Sequence, residues 1–135
     1  MKIVTLTLNP ALDVHCYTPS FRPFHENLCT VTHREAGGKG VNISRALTVN
    51  GVENLVCVVL GTENGEGFLR SLQADGMTVS SFTVPGSIRE NITLHCDDKE
   101  ETRISFPGFS VDGELLFRVE AALEGEIDAD TVVTF

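Results

Sequence analysis

Residues 35–47 read EAGGKGVNISRAL, a stretch in which three glycines precede an amphipathic helical pattern. Glycine adopts backbone conformations closed to other residues and lets neighbouring groups approach closely. From Val41 onward apolar residues recur at helical spacing, and Gly51 marks a helix end. A helix that follows a glycine turn has unpaired N–H groups at its start, where an anion or a sugar hydroxyl can bind. Lys39 adds positive charge there, which favours an anionic ligand. The stretch alone is also consistent with a tight loop that binds no ligand.

Two common nucleotide-binding motifs do not fit this stretch. A Walker A loop requires a Ser or Thr directly after its lysine, and Gly40 follows Lys39 here. The dinucleotide pattern GxGxxG also fails, because Ile43 stands where its last glycine is required. The glycines therefore do not identify a nucleotide site.

The composition predicts one globular domain without a nucleic-acid or membrane partner. The 135 residues are enough to bury a core, and the formal net charge is −9. Broad binding to nucleic acids or anionic membrane surfaces requires basic patches, which this charge disfavours. No apolar run approaches the ~20 residues of a membrane span, and residues 1–8 lack the pattern of a signal peptide. We therefore expect a cytoplasmic protein.

The four cysteines and four histidines show no spacing typical of metal ligands. Cysteines without pairing motifs are typical of free thiols in a reducing compartment. We therefore expect no metal site.

Hydrophobic patterning predicts an α/β scaffold. The continuous apolar run at 54–60 indicates a strand buried on both faces. Helical spacing predicts helices after Gly40, at 65–74 and at 112–124. The remaining scaffold strands are predicted at 2–8, 77–84 and 130–135.

Two further pairs of strands alternate polar and apolar residues, which is typical of a sheet with one wet or partner-facing side. They interrupt the scaffold at about 14–34 and 89–106. The second pair is predicted to form a hairpin around the acidic turn at 97–101. The four strands are predicted at 14–19, 27–34, 89–96 and 102–106.

Local patterns alone leave two polar residues ambiguous. Asp13 follows the first strand, at the edge where open α/β sheets bind ligands, but the local pattern alone favours a turn or capping residue. Arg89 is consistent with an exposed charge on a strand.

Three motifs in order resemble the PfkB branch of the ribokinase-like carbohydrate kinases. They are TLNPALD at 7–13, GGKGVN at 37–42 and REN at 89–91. The opening motif is most similar to the phosphosugar members, the 1-phosphofructokinase and tagatose-6-phosphate kinase group. Three motifs in order are more specific than one, and the resemblance covers the whole chain as the amino-terminal part, 1–135, of such a kinase domain.

The resemblance implies a doubly wound α/β fold with a small β-sheet lid. It also implies ATP-dependent phosphorylation of a sugar phosphate of the fructose 1-phosphate or tagatose 6-phosphate type, with Mg²⁺. The two inserted strand pairs match the lid, which in phosphosugar kinases often forms the dimer contact. A homodimer through the lid is therefore expected.

The resemblance also assigns roles to residues of the acceptor site. Asp13 resembles the acceptor for sugar hydroxyls, and Asn42 resembles a residue that bonds a sugar hydroxyl. Arg89 resembles the lid cation that grips the substrate phosphate. Gly37 and Gly38 resemble the pair at which the lid hinges. The expected helpers are Lys39 and Asn91.

Departures from the family pattern limit what these residues do alone. Asn27 and Cys29 stand on a predicted lid strand where some phosphofructokinases carry basic residues that contact phosphate. The family's Gly-Ala-Gly-Asp motif, whose Asp is the catalytic base, and its nucleotide-binding region do not occur in the sequence. We therefore expect no catalytic residue, ATP or Mg²⁺ on this chain alone.

Two alternatives to the amino-terminal part of a kinase remain open. The chain could be a catalytically silent module that binds a sugar phosphate or dimerises, or a nonfunctional remnant with poor solubility and no ligand response. The strand at 130–135 would leave an open sheet edge, which favours association, so we expect oligomers.

Overall fold

In the computed structural model, which describes residues 1–98 and 100–135, eight strands form two four-stranded sheets, and three helices pack against one of them, the scaffold sheet. The strands are β1 Lys2–Thr7, β2 Ala11–Tyr17, β3 Thr30–Gly37, β4 Leu55–Gly61, β5 Thr78–Val84, β6 Arg89–His95, β7 Glu101–Ile104 and β8 Thr131–Thr134. The helices are α1 Lys39–Val49, α2 Gly65–Ala74 and α3 Gly113–Glu124.

The scaffold sheet is parallel, with strand order β5-β4-β1-β8. Its central strand β4 is buried on both faces. Val56 and Val58 pack with Phe68 of α2, whereas Val59 packs on the opposite side with Leu115 of α3. Helices therefore cover both faces, and the prediction of a doubly wound α/β fold is confirmed.

The second sheet is mixed, with strand order β3-β2-β6-β7. Strand β2 pairs antiparallel with β3 and parallel with β6, and β6 pairs antiparallel with β7. The β6–β7 pairing is the predicted hairpin, although Lys99 of its acidic turn lies outside the described residues. We call this second sheet the lid sheet.

Two predicted lid strands had the wrong bounds. The first begins at Ala11 rather than at residue 14, and the second covers Thr30–Gly37 rather than 27–34. Ala11 pairs with both Gly37 and Arg89, so partners distant in sequence supply the hydrogen bonds that extend the strand. Asp13 consequently lies within strand β2, and not in the turn after β1 that the local pattern favoured.

Helix α3 begins with a side-chain cap. The Oδ1 atom of Asp112 accepts a hydrogen bond of 2.8 Å from the backbone N–H of Leu115. Asp112→Ala is expected to lower the free energy of unfolding by about 1 kcal/mol, because this N–H loses its partner. Urea denaturation measures the change, and Glu120→Ala on the exposed side of α3 is the control. An equal loss in both variants would contradict a capping role.

None of the described helices combines the length and the apolarity needed to cross a membrane.

Candidate functional site

The lid sheet meets the scaffold at a cleft beside the carboxyl end of β1. This cleft has a volume of about 470 Å³, and its walls include Thr7, Asn9, Gly38, Lys39 and Arg89. We call it the hinge cleft. The chain has a net charge of −9, yet two cationic side chains and no carboxylate side chain stand among the described residues that line the cleft. A locally positive cleft in an acidic protein favours a small anionic ligand.

Helix α1 points its amino terminus at the hinge cleft. Lys39 is its first residue, and the N-cap residue Gly38 supplies no side-chain hydrogen bond. The hydroxyl of Thr7 accepts a hydrogen bond of 3.1 Å from the backbone N–H of Val41. The N–H groups of Lys39 and Gly40, which line the cleft, have no side-chain cap among the described residues, and free N–H groups at a helix start can bind an anion.

The glycines at the hinge are required by conformation and by space. Gly38 has a backbone φ of +131°, a value that residues other than glycine rarely adopt. A Cβ atom on Gly40 would lie 2.6 Å from the carbonyl oxygen of Leu6. A Cβ atom on Gly37 would overlap the carboxylate of Asp13. The missing side chains therefore let α1 approach β1 closely and let the end of β3 approach Asp13.

Asp13 and Asn91 lie side by side on neighbouring lid strands. Asn91 donates from Nδ2 to Oδ1 of Asp13 at 3.4 Å, as the β2–β6 register dictates. Both residues line a second cleft of about 270 Å³, together with Glu35 and Arg103. This arrangement leaves the second carboxylate oxygen of Asp13 to accept from a ligand hydroxyl.

Arg89 lies at the boundary between the lid and the scaffold. Its Nη1 atom donates to the carbonyl of Phe106 at 3.0 Å, and its Nη2 atom contacts the carbonyl of Asn9 at 3.5 Å. Its Nε atom is buried and has no hydrogen-bond partner among the described residues. A buried, unsatisfied donor on a permanent cation is a natural partner for an anion.

Asn42 lies apart from the other predicted site residues. It is exposed on the first turn of α1 and lines neither cleft, and its Oδ1 atom accepts from Nη1 of Arg45 at 3.0 Å. The structure thus groups the predicted residues as Asp13 with Gly37 and Asn91, and Gly38 with Lys39 and Arg89.

Strand register also assembles a histidine cluster that sequence spacing did not reveal. Nδ1 of His15 lies 3.0 Å from Nε2 of His95, and the rings of His15 and His33 lie 5.9 Å apart. Glu35 and Glu101 flank the cluster. Among the described residues, no group of three or more His, Cys, Asp or Glu side chains is arranged to hold a metal ion.

Tyr17 is the last residue of strand β2. Its hydroxyl donates to Oδ1 of Asp97 at 2.5 Å, and this hydrogen bond to a carboxylate raises the pKa of Tyr17. The neutral phenol therefore stays a donor, which ties β2 to the turn after β6.

Comparison with known proteins places these features in a family. Residues 8–113 match the family model described as pfkB family carbohydrate kinase. A 1-phosphofructokinase of Escherichia coli strain K12 is 34% identical over 110 residues, which cover 82% of this chain and 35% of that relative.

Solved structures agree with the sequence match. Phosphofructokinase-2 from Escherichia coli in complex with fructose-6-phosphate has a TM-score of 0.90 at 27% identity, over 98% of this chain and 44% of its own. The tetrameric inhibited form of the same protein has a TM-score of 0.89 at 27% identity, over 98% of this chain and 43% of its own. This chain spans less than half the length of these relatives. Because the family model matches most of its residues, the chain belongs to the pfkB family of carbohydrate kinases.

Proposed function

We propose that this chain carries the acceptor site of an ATP-dependent phosphosugar kinase, for a substrate of the fructose 1-phosphate or tagatose 6-phosphate type. The observation that carries the proposal is the hinge cleft, where Lys39, Arg89 and the free N–H groups at the start of α1 converge. The similarity to a 1-phosphofructokinase and to a phosphofructokinase-2 solved with fructose-6-phosphate supports the same substrate class.

The proposed site divides its work between two kinds of group. Asp13 accepts hydrogen bonds from sugar hydroxyls, with Asn91 orienting its carboxylate. Lys39 and Arg89 hold the substrate phosphate together with N–H groups of α1. Gly37 and Gly38 allow the lid sheet to move over the bound sugar. Phosphoryl transfer depends chiefly on positioning and charge stabilisation, and these residues position the acceptor.

The phosphoryl donor is proposed to bind outside these residues. ATP supplies the phosphoryl group, and Mg²⁺ balances its charge in the whole protein. Mg²⁺ prefers carboxylate and water oxygens, and the described residues that line the hinge cleft include no carboxylate side chain. The cleft therefore fits a sugar phosphate better than Mg²⁺-ATP, and we expect no turnover from the 135 residues alone.

A second candidate is a catalytically silent module that binds a sugar phosphate or dimerises through the lid sheet. Strand β8 favours association, since it pairs with β1 alone among the described strands. A homodimer in the cytoplasm is the assembly that we propose, and one solved relative is described as tetrameric. Sugar-dependent ATP consumption by the whole protein would exclude the silent module.

Thermal unfolding with a panel of ligands tests the proposed acceptor site. Fructose 1-phosphate or tagatose 6-phosphate is expected to raise the Tm by roughly 5 °C at about ten times its Kd. Mg²⁺-ATP is expected to leave the Tm unchanged. Stabilisation by ATP but by none of the sugar phosphates would contradict the proposal.

Arg89→Met is expected to weaken sugar-phosphate binding about tenfold, because a charge-assisted hydrogen bond contributes about 1.5–3 kcal/mol. Calorimetric titration measures the change. Arg70→Met is the matched control, since Arg70 is exposed and pairs with Glu66 on helix α2. Equal weakening in both variants would indicate a general charge effect and not a phosphate contact.

A further inference from the structure

Arg45 joins three parts of the molecule around the hinge. Its Nε atom donates to Oδ2 of Asp75 at 3.1 Å, and its Nη1 atom donates to Oδ1 of Asn42 at 3.0 Å. Its Nη2 atom donates to the carbonyl of Ala36 at 2.5 Å. The side chain is only 25% exposed, so little water competes with these bonds. Each nitrogen of the guanidinium is therefore engaged, on α1 itself, on the end of α2 and on the lid strand β3.

The contact with Asn42 fixes which way that amide faces. A guanidinium carries donors only, so the atom of Asn42 that faces Arg45 must be the carbonyl oxygen. The amide nitrogen of Asn42 forms no hydrogen bond among the described residues, and the side chain is exposed. Asn42 is therefore held as a donor, with its NH₂ group available to a ligand.

The contact with Ala36 fixes the base of the lid. Ala36 is buried and directly precedes Gly37, where β3 ends. Because one guanidinium bonds both this carbonyl and Asn42, it links the base of the lid to the first turn of α1.

We propose that Arg45 is a positioning residue that presents Asn42 to the sugar as a hydrogen-bond donor. This inference rests on the proposed function, together with the role that the family resemblance gives Asn42, a hydrogen bond to a sugar hydroxyl. Asp13 then accepts from one sugar hydroxyl while Asn42 donates to another sugar oxygen. One acceptor and one donor together fix the orientation in which the sugar binds. Arg45 itself touches no substrate.

The amide resonances of Asn42 and the affinity for fructose 1-phosphate test the proposal together. In Arg45→Met, the side-chain NH₂ signals of Asn42 are expected to move toward random-coil positions, and the Kd is expected to rise about tenfold. Asp75→Asn is the control, since it weakens only the contact with α2. It is expected to leave these signals in place and the Kd within about twofold.

Two more variants keep the test decisive. Arg45→Lys preserves the charge but offers one donor group in place of the guanidinium fork, so an effect in the same direction is expected. This variant serves as the test if Arg45→Met does not fold. Asn42→Asp preserves shape and the bond to Arg45 but removes the donor, so binding should fall while thermal stability is kept.

The outcomes separate this inference from the proposed function. Unchanged Asn42 signals in Arg45→Met or Arg45→Lys, or equal changes in Asp75→Asn, would overturn the positioning role. Unchanged affinity in Asn42→Asp would overturn the donor role of Asn42. If the unmodified chain binds no sugar phosphate, the proposed acceptor site fails, and the Asn42 signals still decide whether Arg45 orients that amide.

Discussion

Asp13→Asn is expected to weaken binding of fructose 1-phosphate by roughly thirtyfold or more. A carboxylate accepts strongly from hydroxyls, and each hydrogen bond to a charged group contributes about 1.5–3 kcal/mol. Asparagine would in addition have to turn its only oxygen toward Asn91, which now donates to Asp13 at 3.4 Å. No acceptor of equal strength would then remain for the sugar. Calorimetric titration of the two proteins measures the ratio of the Kd values.

Glu35→Gln is the matched control for Asp13→Asn. Glu35 pairs with Asp13 in the β2–β3 register and lines the same second cleft, beside Asn91, so both variants remove one negative charge from the same place. If only the local field mattered, both variants would tighten the binding of an anionic sugar phosphate. We expect weaker binding in Asp13→Asn alone. Tighter binding in both variants would contradict the role of Asp13 as the acceptor.

Gly40→Ala is expected to lower the free energy of unfolding by about 2–4 kcal/mol, because overfilling a packed interior forces neighbouring atoms to shift. The added Cβ atom would lie 2.6 Å from both the carbonyl oxygen of Leu6 and the hydroxyl of Thr7. The first of these atoms belongs to the backbone of β1, so α1 must move away from the scaffold sheet. Urea denaturation measures the loss.

Gly67→Ala is the control for this substitution. Gly67 lies in helix α2, and nothing stands within 4 Å of the Cβ atom that alanine would add. There the same substitution is expected to stabilise the protein by roughly 0.5–1 kcal/mol through helix propensity. A loss below about 0.5 kcal/mol in Gly40→Ala would mean that α1 is not packed tightly on β1.

The scaffold could be predicted because its signals are local. Strand β4 is an unbroken apolar run, and its burial on both faces follows from that run. Helix α2 extends over Gly65–Ala74, as its apolar spacing predicts, because its neighbours in sequence are also its neighbours on one helical face.

The lid and the details of the site depend on contacts between distant residues. Ala11 joins a strand only because Gly37 and Arg89 are in register with it. The pairing of His15 with His95 joins residues 80 positions apart, so no spacing rule could reveal it. The bond from Arg45 to Ala36 was likewise hidden, since a helical pattern does not show where a long polar side chain finds its partners.

The roles of the predicted site residues came from motif resemblance and remain predictions. The structure brings Asp13 to Asn91, and Lys39 to Arg89, but it leaves Asn42 on the exposed side of α1. Local pattern favoured a turn for Asp13 and an exposed charge for Arg89. Only the pairing of β2 with β6 shows that Asp13 lies beside Asn91 and that Arg89 lies beside Ala11.

The measurement that tests the central claim most directly is residue-resolved NMR titration of the chain with fructose 1-phosphate. We predict the largest shifts at the backbone amides of Gly38, Lys39 and Gly40, where α1 begins at the hinge cleft. Shifts confined to the opposite end of the scaffold sheet, around Glu53 and Asp128, would contradict the account. An unchanged spectrum at millimolar ligand would contradict it as well.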